Sequence, residues 1–254
     1  MTFTALDWQR RFIQQATWTR DLRQFLYQQV GLPLAQAVLD VGCGPGALEP
    51  EIRSAFQGML VGLDIDQEHL NLARLQSPGC SYIQGDAHKL PFQDGSFNIC
   101  LCHFVLLWLT DPLIALKEMR RVTQKSGWVL ILAEPDYSGR LDYPEKLAQL
   151  GAWQRQSLTQ QGADPALGRR LARLCQQAGL QGVQFGVLGG QWGAKNGFAV
   201  WEQEWQVLEN DLAVLLHHPP PQDVAMLRAL DYEASQNGER VLFVPTFYAW
   251  GRAA

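Results

Sequence analysis

Three acidic residues and a spaced run of glycines are the part of this sequence best suited to chemistry. Asp40 stands two residues before Gly42, and Gly44 and Gly46 follow at alternate positions. Asp64 comes twenty residues after Gly44, and Asp86 lies within Gly85-Asp86-Ala87. Glycines lack a Cβ, so the chain can turn sharply and lay its backbone against a ligand. Gly42, Gly44 and Ala47 formally satisfy the dinucleotide pattern G-x-G-x-x-[GA], a weak signal alone. Asp40 argues against a dinucleotide, because a carboxylate at the mouth of the loop repels a pyrophosphate and attracts a cation. Asp64 can accept hydrogen bonds from both hydroxyls of a ribose, and Ile65 beside it is assigned to the same pocket. The set suits a nucleoside that carries positive charge and no phosphate.

These residues act together only if strands hold them at one edge. Val38, Leu39 and Val41 read as a buried central strand. Pro45 suits an early helical position, and Leu48 and Ile52 mark an apolar helix face. Met59–Asp66 is the second strand, with Asp64 at its carboxyl end and Asp66 capping the next helix. Cys80–Ile83 and Ile99–Phe104 are the third and fourth strands. The fourth brings His103 to the carboxyl edge, where ligand crevices of parallel sheets open. His103 is therefore a pocket wall or a proton acceptor, and it is the catalytic candidate. Cys100, Cys102 and His103 lack a fourth ligand at workable spacing, so no metal is expected. Asp111 and Pro112 start a helix, Trp128–Ala133 is the fifth strand, and Val183–Leu188 is the sixth. Val241–Trp250 reads as the last strand, with Pro245 requiring a bulge or an unpaired site. Ahead of the sheet, residues 5–30 read as one or two helices, the second capped by Thr19.

Asp40-x-Gly42-x-Gly44-x-Gly46, Gly85-Asp86-Ala87 and Leu90-Pro91-Phe92-x-Asp94-x-Ser96-Phe97-Asn98 occur in that order. They resemble the motifs of class I S-adenosylmethionine-dependent methyltransferases, nearest the small-molecule branch that includes ubiquinone and menaquinone C-methyltransferases. Asn98 departs from that family's usual Asp. The resemblance covers residues 35–190 and implies an α/β, Rossmann-like seven-stranded sheet of order 3-2-1-4-5-7-6, flanked by helices. It implies S-adenosyl-L-methionine as cofactor, with Asp86 accepting from the adenine amino group and the Ala87 N–H meeting a ring nitrogen. It also implies one domain over 1–254: a helical lid over 1–34, a cofactor-binding core over 35–136, and helical insertions at 137–164 and 191–238. In the lid, Trp18 and Gln15 are expected to cover the cofactor, while Phe12 packs the core. Glu134, Tyr137 and Arg140, after the fifth strand, are expected to hold the acceptor. Aromatics in the additions (Trp8, Tyr143 and Trp153, then Trp192, Trp201 and Trp205) suggest a small apolar or aromatic acceptor.

Composition narrows the alternatives. With 254 residues, 47% of them hydrophobic, the chain can bury a full core. A net charge of −4 and a pI near 5.7 leave no electrostatic footprint for nucleic acid. No bilayer-spanning stretch or signal peptide is apparent. Five cysteines without a C-x-x-C pair suit a reducing compartment, so a cytoplasmic location is expected. Two other classes remain. A nicotinamide-dependent dehydrogenase would explain the glycines and Asp64, but neither Asp40 nor Gly85-Asp86-Ala87. A non-catalytic S-adenosylmethionine-binding domain would retain the cofactor site and lose the acceptor pocket.

Overall fold

The computed structural model describes residues 4–189 and 197–254; Trp192 and the first residues of the second insertion lie outside them. Helices α1 (Ala5–Trp18) and α2 (Arg20–Gln29) precede the sheet. There follow β1 (Ala37–Val41), α3 (Glu49–Ala55), β2 (Met59–Asp64), α4 (Gln67–Gln76), β3 (Ser81–Gln84) and β4 (Phe97–Cys102). Next come α5 (Pro112–Val122), β5 (Thr123–Pro135), a short β6 (Leu141–Tyr143), α6 (Ala148–Gln160), α7 (Leu171–Gln177) and β7 (Gln181–Leu188). The chain closes with α8 (Phe198–Ala213), α9 (Pro221–Asn237), β8 (Val241–Phe243) and β9 (Thr246–Arg252).

The main sheet has seven strands in the order β3-β2-β1-β4-β5-β9-β7. Its first five strands run parallel, and β9 lies antiparallel to both neighbours. With β7 and β9 as its sixth and seventh strands, this is the order that the motifs imply. Alternation along the strands builds two cores. Leu39, Cys100 and Ile131 face α5 and α7, where Leu116, Met119 and Leu171 meet them. Val38, Ile99 and Leu130 face the other way, onto Leu26 of α2 and Ile52 of α3.

Asn98 explains its own departure from the family pattern. Its Oδ1 accepts from the N–H groups of Gln36 and Ala37, each at 2.8 Å, and pins the start of β1. Its Nδ2 donates to Gln124, a bond that an ionised Asp could not make.

Three sequence expectations are corrected. The helix after the glycine loop begins at Glu49, not near Pro45, because Gly42, Gly44 and Gly46 all take positive φ and hold the chain in turns. Val241–Trp250 is not one strand, and of the bulge or unpaired site expected at Pro245 the second is found. It breaks before Pro245, which has no N–H to give a ladder, and β8 pairs with β6 in a separate two-stranded sheet. Trp153, Trp201 and Trp205 pack in a third core built by α6, α8 and α9 around Leu147, Leu150 and Leu212. Buried indole N–H groups need partners; those of Trp201 and Trp205 both donate to Asp231 Oδ2, at 2.6 and 2.8 Å. Among the described residues, no helix is long and apolar enough to cross a membrane.

Candidate functional site

A cavity of about 630 Å³ opens at the carboxyl edge of β1, β2 and β4, beneath α1 and beside α6 and α8. Its floor at one end is the glycine loop. The N–H groups of Gly42 and Cys43 donate to Leu63 O at 2.7 and 3.0 Å, turning the chain back over β2. A Cβ on Gly42 would fall 2.4 Å from Val105 Cγ2, so only glycine fits there.

Asp64 stands at the end of β2 in the cavity wall. Its Oδ2 accepts from Gly44 N at 2.8 Å and its Oδ1 from Asp66 N at 2.9 Å. Each carboxylate oxygen keeps a lone pair for a ligand hydroxyl. Ile65 lines the same wall, 68% exposed. Asp66 caps α4, accepting from Glu68 and His69.

Asp40 is 2% exposed, lines the cavity, and has an Oδ1 with no hydrogen-bond partner. Burial raises its pKa well above the usual carboxylate range; the charges of Glu49 and Asp64 add to this, and Arg23 opposes it. A buried carboxyl without a partner is costly, and a cationic ligand would supply one.

Asp86 and Ala87 form the adjoining wall. Asp86 Oδ1 accepts from His88 N at 2.9 Å and meets His88 Nδ1 at 2.7 Å. Asp111 N donates to His88 Nε2 at 3.3 Å, so the ring proton sits on Nδ1. The His88 backbone and side-chain bonds hold the Asp86 carboxyl below its ordinary pKa, as an acceptor. Both bonds fall on Oδ1, which leaves Oδ2 for an amino group.

His103 lies just past β4 and lines the cavity. Its Nε2 is 2.9 Å from Thr19 Oγ1, which also accepts from Arg23. Thr19 begins α2 as expected, but its hydroxyl does not cap the helix; it serves His103 instead. Arg23 is itself held by both oxygens of Glu51, joining α2 to α3. Burial foremost, and then Arg23, push the His103 pKa well below its ordinary value, so the imidazole is neutral at pH 7.

Several assignments made from sequence need correction. Trp18 is 52% exposed and stacks beneath the Arg11 guanidinium, outside the cavity lining. The stripe of α1 that faces the cavity is Trp8, Phe12 and Gln15 at helical spacing, continued by Thr19, and Trp18 lies off it. Gln15 therefore lines the cavity. Phe12, expected in the core, stacks on Trp8, meets His69 edge-on and covers Gly44. Glu134 is fully buried and does not line the cavity. Its carboxylate accepts from the N–H groups of Val105, Leu106 and Leu107 at 3.0, 2.8 and 3.2 Å, holding the turn after β4. Arg140 is likewise outside the lining, spent on Asp142 at 2.7 and 2.9 Å and on Gln154. Of the three acceptor candidates, Tyr137 alone lines the cavity. Sequence reasoning missed Arg11, Gln154 and Asp211, which line its other end; Arg11 was legible on the α1 stripe, while the other two rest on the packing of distant helices.

The lining carries five carboxylates (Asp40, Asp64, Asp66, Asp86 and Asp211) against one guanidinium, Arg11. Such a field favours a cation and opposes a pyrophosphate.

The fold and this glycine-loop site define a Rossmann-like class. Residues 39–131 match the family described as "Methyltransferase domain". The chain is similar to a demethylmenaquinone methyltransferase of Renibacterium salmoninarum, 38% identical over 117 residues, 46% of this chain and 48% of that protein. It is also similar to a malonyl-[acyl-carrier protein] O-methyltransferase of Erwinia billingiae, 39% identical over 95 residues, 37% of this chain and 38% of that protein. The chain thus spans about half the length or less of the curated relatives it matches. A Haemonchus contortus N-methyltransferase solved with phosphomonomethylethanolamine and S-adenosylhomocysteine shares the fold. Its TM-score is 0.60 at 16% identity, covering 93% of this chain and 53% of that one.

Proposed function

We propose that this protein transfers a methyl group from S-adenosylmethionine to a small molecule held in the same cavity. The observation that carries the reading is Asp40: a buried carboxyl with an unpartnered oxygen beside a glycine loop, in a cavity whose acidic lining residues outnumber its one guanidinium. When bound, the cofactor supplies an electrophilic methyl on a positively charged sulfur, and it brings an ammonium group as well. Asp40 offers the counter-charge, Asp64 takes the ribose hydroxyls, and Asp86 with the Ala87 N–H reads the adenine edge. Phe12, over Gly44, keeps water from the loop. Much of the rate then comes from holding acceptor and methyl in line, an effect of about 7–11 kcal/mol where alignment is good. A base is needed only for an acceptor that must lose a proton. His103, neutral and buried, is a wall of the cavity and a weak base at most.

The helices before the sheet act as a lid, and the insertions act as the acceptor side of a single domain. The acceptors of the similar proteins, a menaquinone precursor and a malonyl carrier, are compatible with a small apolar or aromatic molecule here. Five unpaired cysteines, four of them buried, accord with a cytoplasmic setting.

Calorimetric titration with S-adenosylmethionine, S-adenosylhomocysteine and NAD tests the cofactor, and a screen with methyl-labelled cofactor tests transfer. Binding of the first two and not of NAD is expected, with Asp40→Asn weakening S-adenosylmethionine binding by about tenfold or more, the scale of a hydrogen bond to a charge. Preference for NAD would sink the reading. Cofactor binding without transfer to any acceptor in a broad small-molecule screen would make the protein a binding module.

A further inference from the structure

The cavity does not end at the cofactor residues. Its far end is closed by α6 and α8, whose cavity-facing residues recur at helical spacing: Gln154 and Leu158 on α6, with Gln161 just past its end, and Val207 and Asp211 on α8. Asp211 is 6% exposed. Gln154 Nε2 donates to its Oδ2 at 2.9 Å, and the Gln161 amide lies nearby. Beyond Gln154 and Gln161, no side-chain donor among the described residues bonds this carboxylate. A carboxylate has room for about four such bonds, so this one is under-used at a cavity wall.

Two donors stand close to it. Tyr137 feels the charges of both Asp211 and Arg11, and its hydroxyl makes no hydrogen bond with a described residue. Arg11, on α1, is 9% exposed. It gives its Nη1 to Glu204 at 2.6 Å, while its buried Nε–H has no partner. An acceptor carboxylate and two donors, each short of partners, thus line one cavity to which Leu158, Val207 and Phe104 add apolar wall.

We propose that Asp211, with Tyr137 and Arg11, anchors the hydroxyl of a neutral phenol- or enol-type methyl acceptor. The O–H donates to Asp211, and the oxygen accepts from Tyr137 or Arg11. A carboxylate would meet the Asp211 charge, and an arylamine nitrogen, its lone pair delocalised into the ring, is a poor acceptor for the donors. This rests on the methyltransferase reading for the word acceptor, but the anchor is a property of the far end of the cavity. All three residues lie outside the matched domain at 39–131.

The test uses four probes that share one ring system: 1-naphthol, 1-methoxynaphthalene, 1-naphthylamine and 1-naphthoate. Each is titrated into the full chain by fluorescence, with and without S-adenosylhomocysteine. The naphthol should bind at least about tenfold more tightly than its methoxy counterpart, the scale of a hydrogen bond to a charged group, and more tightly than the amine and the acid. Asp211→Ala should reduce the naphthol preference over methoxynaphthalene to about threefold or less. Equal binding of naphthol and methoxynaphthalene, or a preference for the amine or the acid, would overturn the anchor whatever the variant does. Failure of S-adenosylhomocysteine to bind would count against the methyltransferase reading instead, while the naphthol series still judges the anchor.

Discussion

Glu49 provides a quantitative test of the electrostatics beneath the glycine loop. It is the first residue of α3, fully buried, and neither carboxylate oxygen receives a hydrogen bond of ordinary geometry. Burial pushes its pKa from 4.5 up to about 7; the nearby N–H groups of Leu48 and Glu49 offset part of this, and the charge of Asp64 adds to it. Its folded pKa therefore lies above its unfolded one. Below pH 4.5 the carboxyl is protonated in both states and costs nothing by ionisation. Between 4.5 and about 7 the unfolded chain gives up the proton and the folded protein keeps it, so stability falls as pH rises. Above about 7 the loss is complete. At about 1.4 kcal/mol for each pH step of one, the gap amounts to about 3 kcal/mol.

Glu49→Gln removes the ionisation and keeps the shape. A buried amide has its own cost, but that cost is present at every pH and cancels in a difference of differences. Urea unfolding of both proteins at pH 4.5 and pH 8 supplies the four free energies. The variant should gain at least about 3 kcal/mol on the native protein between those two pH values, because losing the Glu49 charge also relieves Asp40, whose pKa that charge raises. Glu134, also pushed up to about 7 by burial against its three N–H bonds, titrates alike in both proteins and drops out. If native and variant stabilities run parallel from pH 4.5 to 8, Glu49 is solvated or paired in solution and the argument fails.

Two further outcomes follow from the glycine loop. Asp64→Ala should weaken S-adenosylhomocysteine binding by about 1.5–3 kcal/mol, since the lost bonds are to a charged acceptor. The loss should shrink when the probe lacks ribose hydroxyls, and an equal loss for both probes would show that Asp64 acts only through Gly44. Gly44→Val places a β-branched residue at a φ of +54° with its Cβ 3.7 Å from Phe12. Cofactor affinity should fall at least about tenfold, by the 1–3 kcal/mol scale of a strained backbone, while urea unfolding stays cooperative. Native affinity in that variant would make the loop conformation irrelevant to the ligand.

What could be read from sequence is set by how far apart the interacting groups lie along the chain. Asp40, the glycines, Asp64 and Asp86 occupy strand ends and turns whose positions follow from local alternation, so their convergence needs only the order of parallel strands. Glu134 sits at an equally legible strand end, yet its role depends on the N–H groups of Val105–Leu107, some 28 residues earlier. A carboxylate at a strand end reads as a ligand until those donors are known. Arg140 fails for a similar reason. Its partner Asp142 is two residues away, but Asp142 is buried because β8 arrives from residue 241 to pair with β6 and brings Arg240 to the same carboxylate.

The aromatics make the same point from the other direction. Trp201 and Trp205 serve the helical bundle and not an acceptor pocket, because an indole N–H inside such a bundle needs an acceptor and Asp231 provides one away from the cavity. The helix that carries them reaches the cavity through Val207 and Asp211 instead. The expected cofactor residues therefore lie in a contiguous, motif-bearing stretch, whereas the proposed acceptor end depends on contacts such as Gln154 with Asp211, 57 residues apart. The acceptors of the similar proteins cannot be carried to this chain through the matched stretch. The residues that would distinguish a phenol from an amine or an acid (Arg11, Tyr137 and Asp211) are not in it.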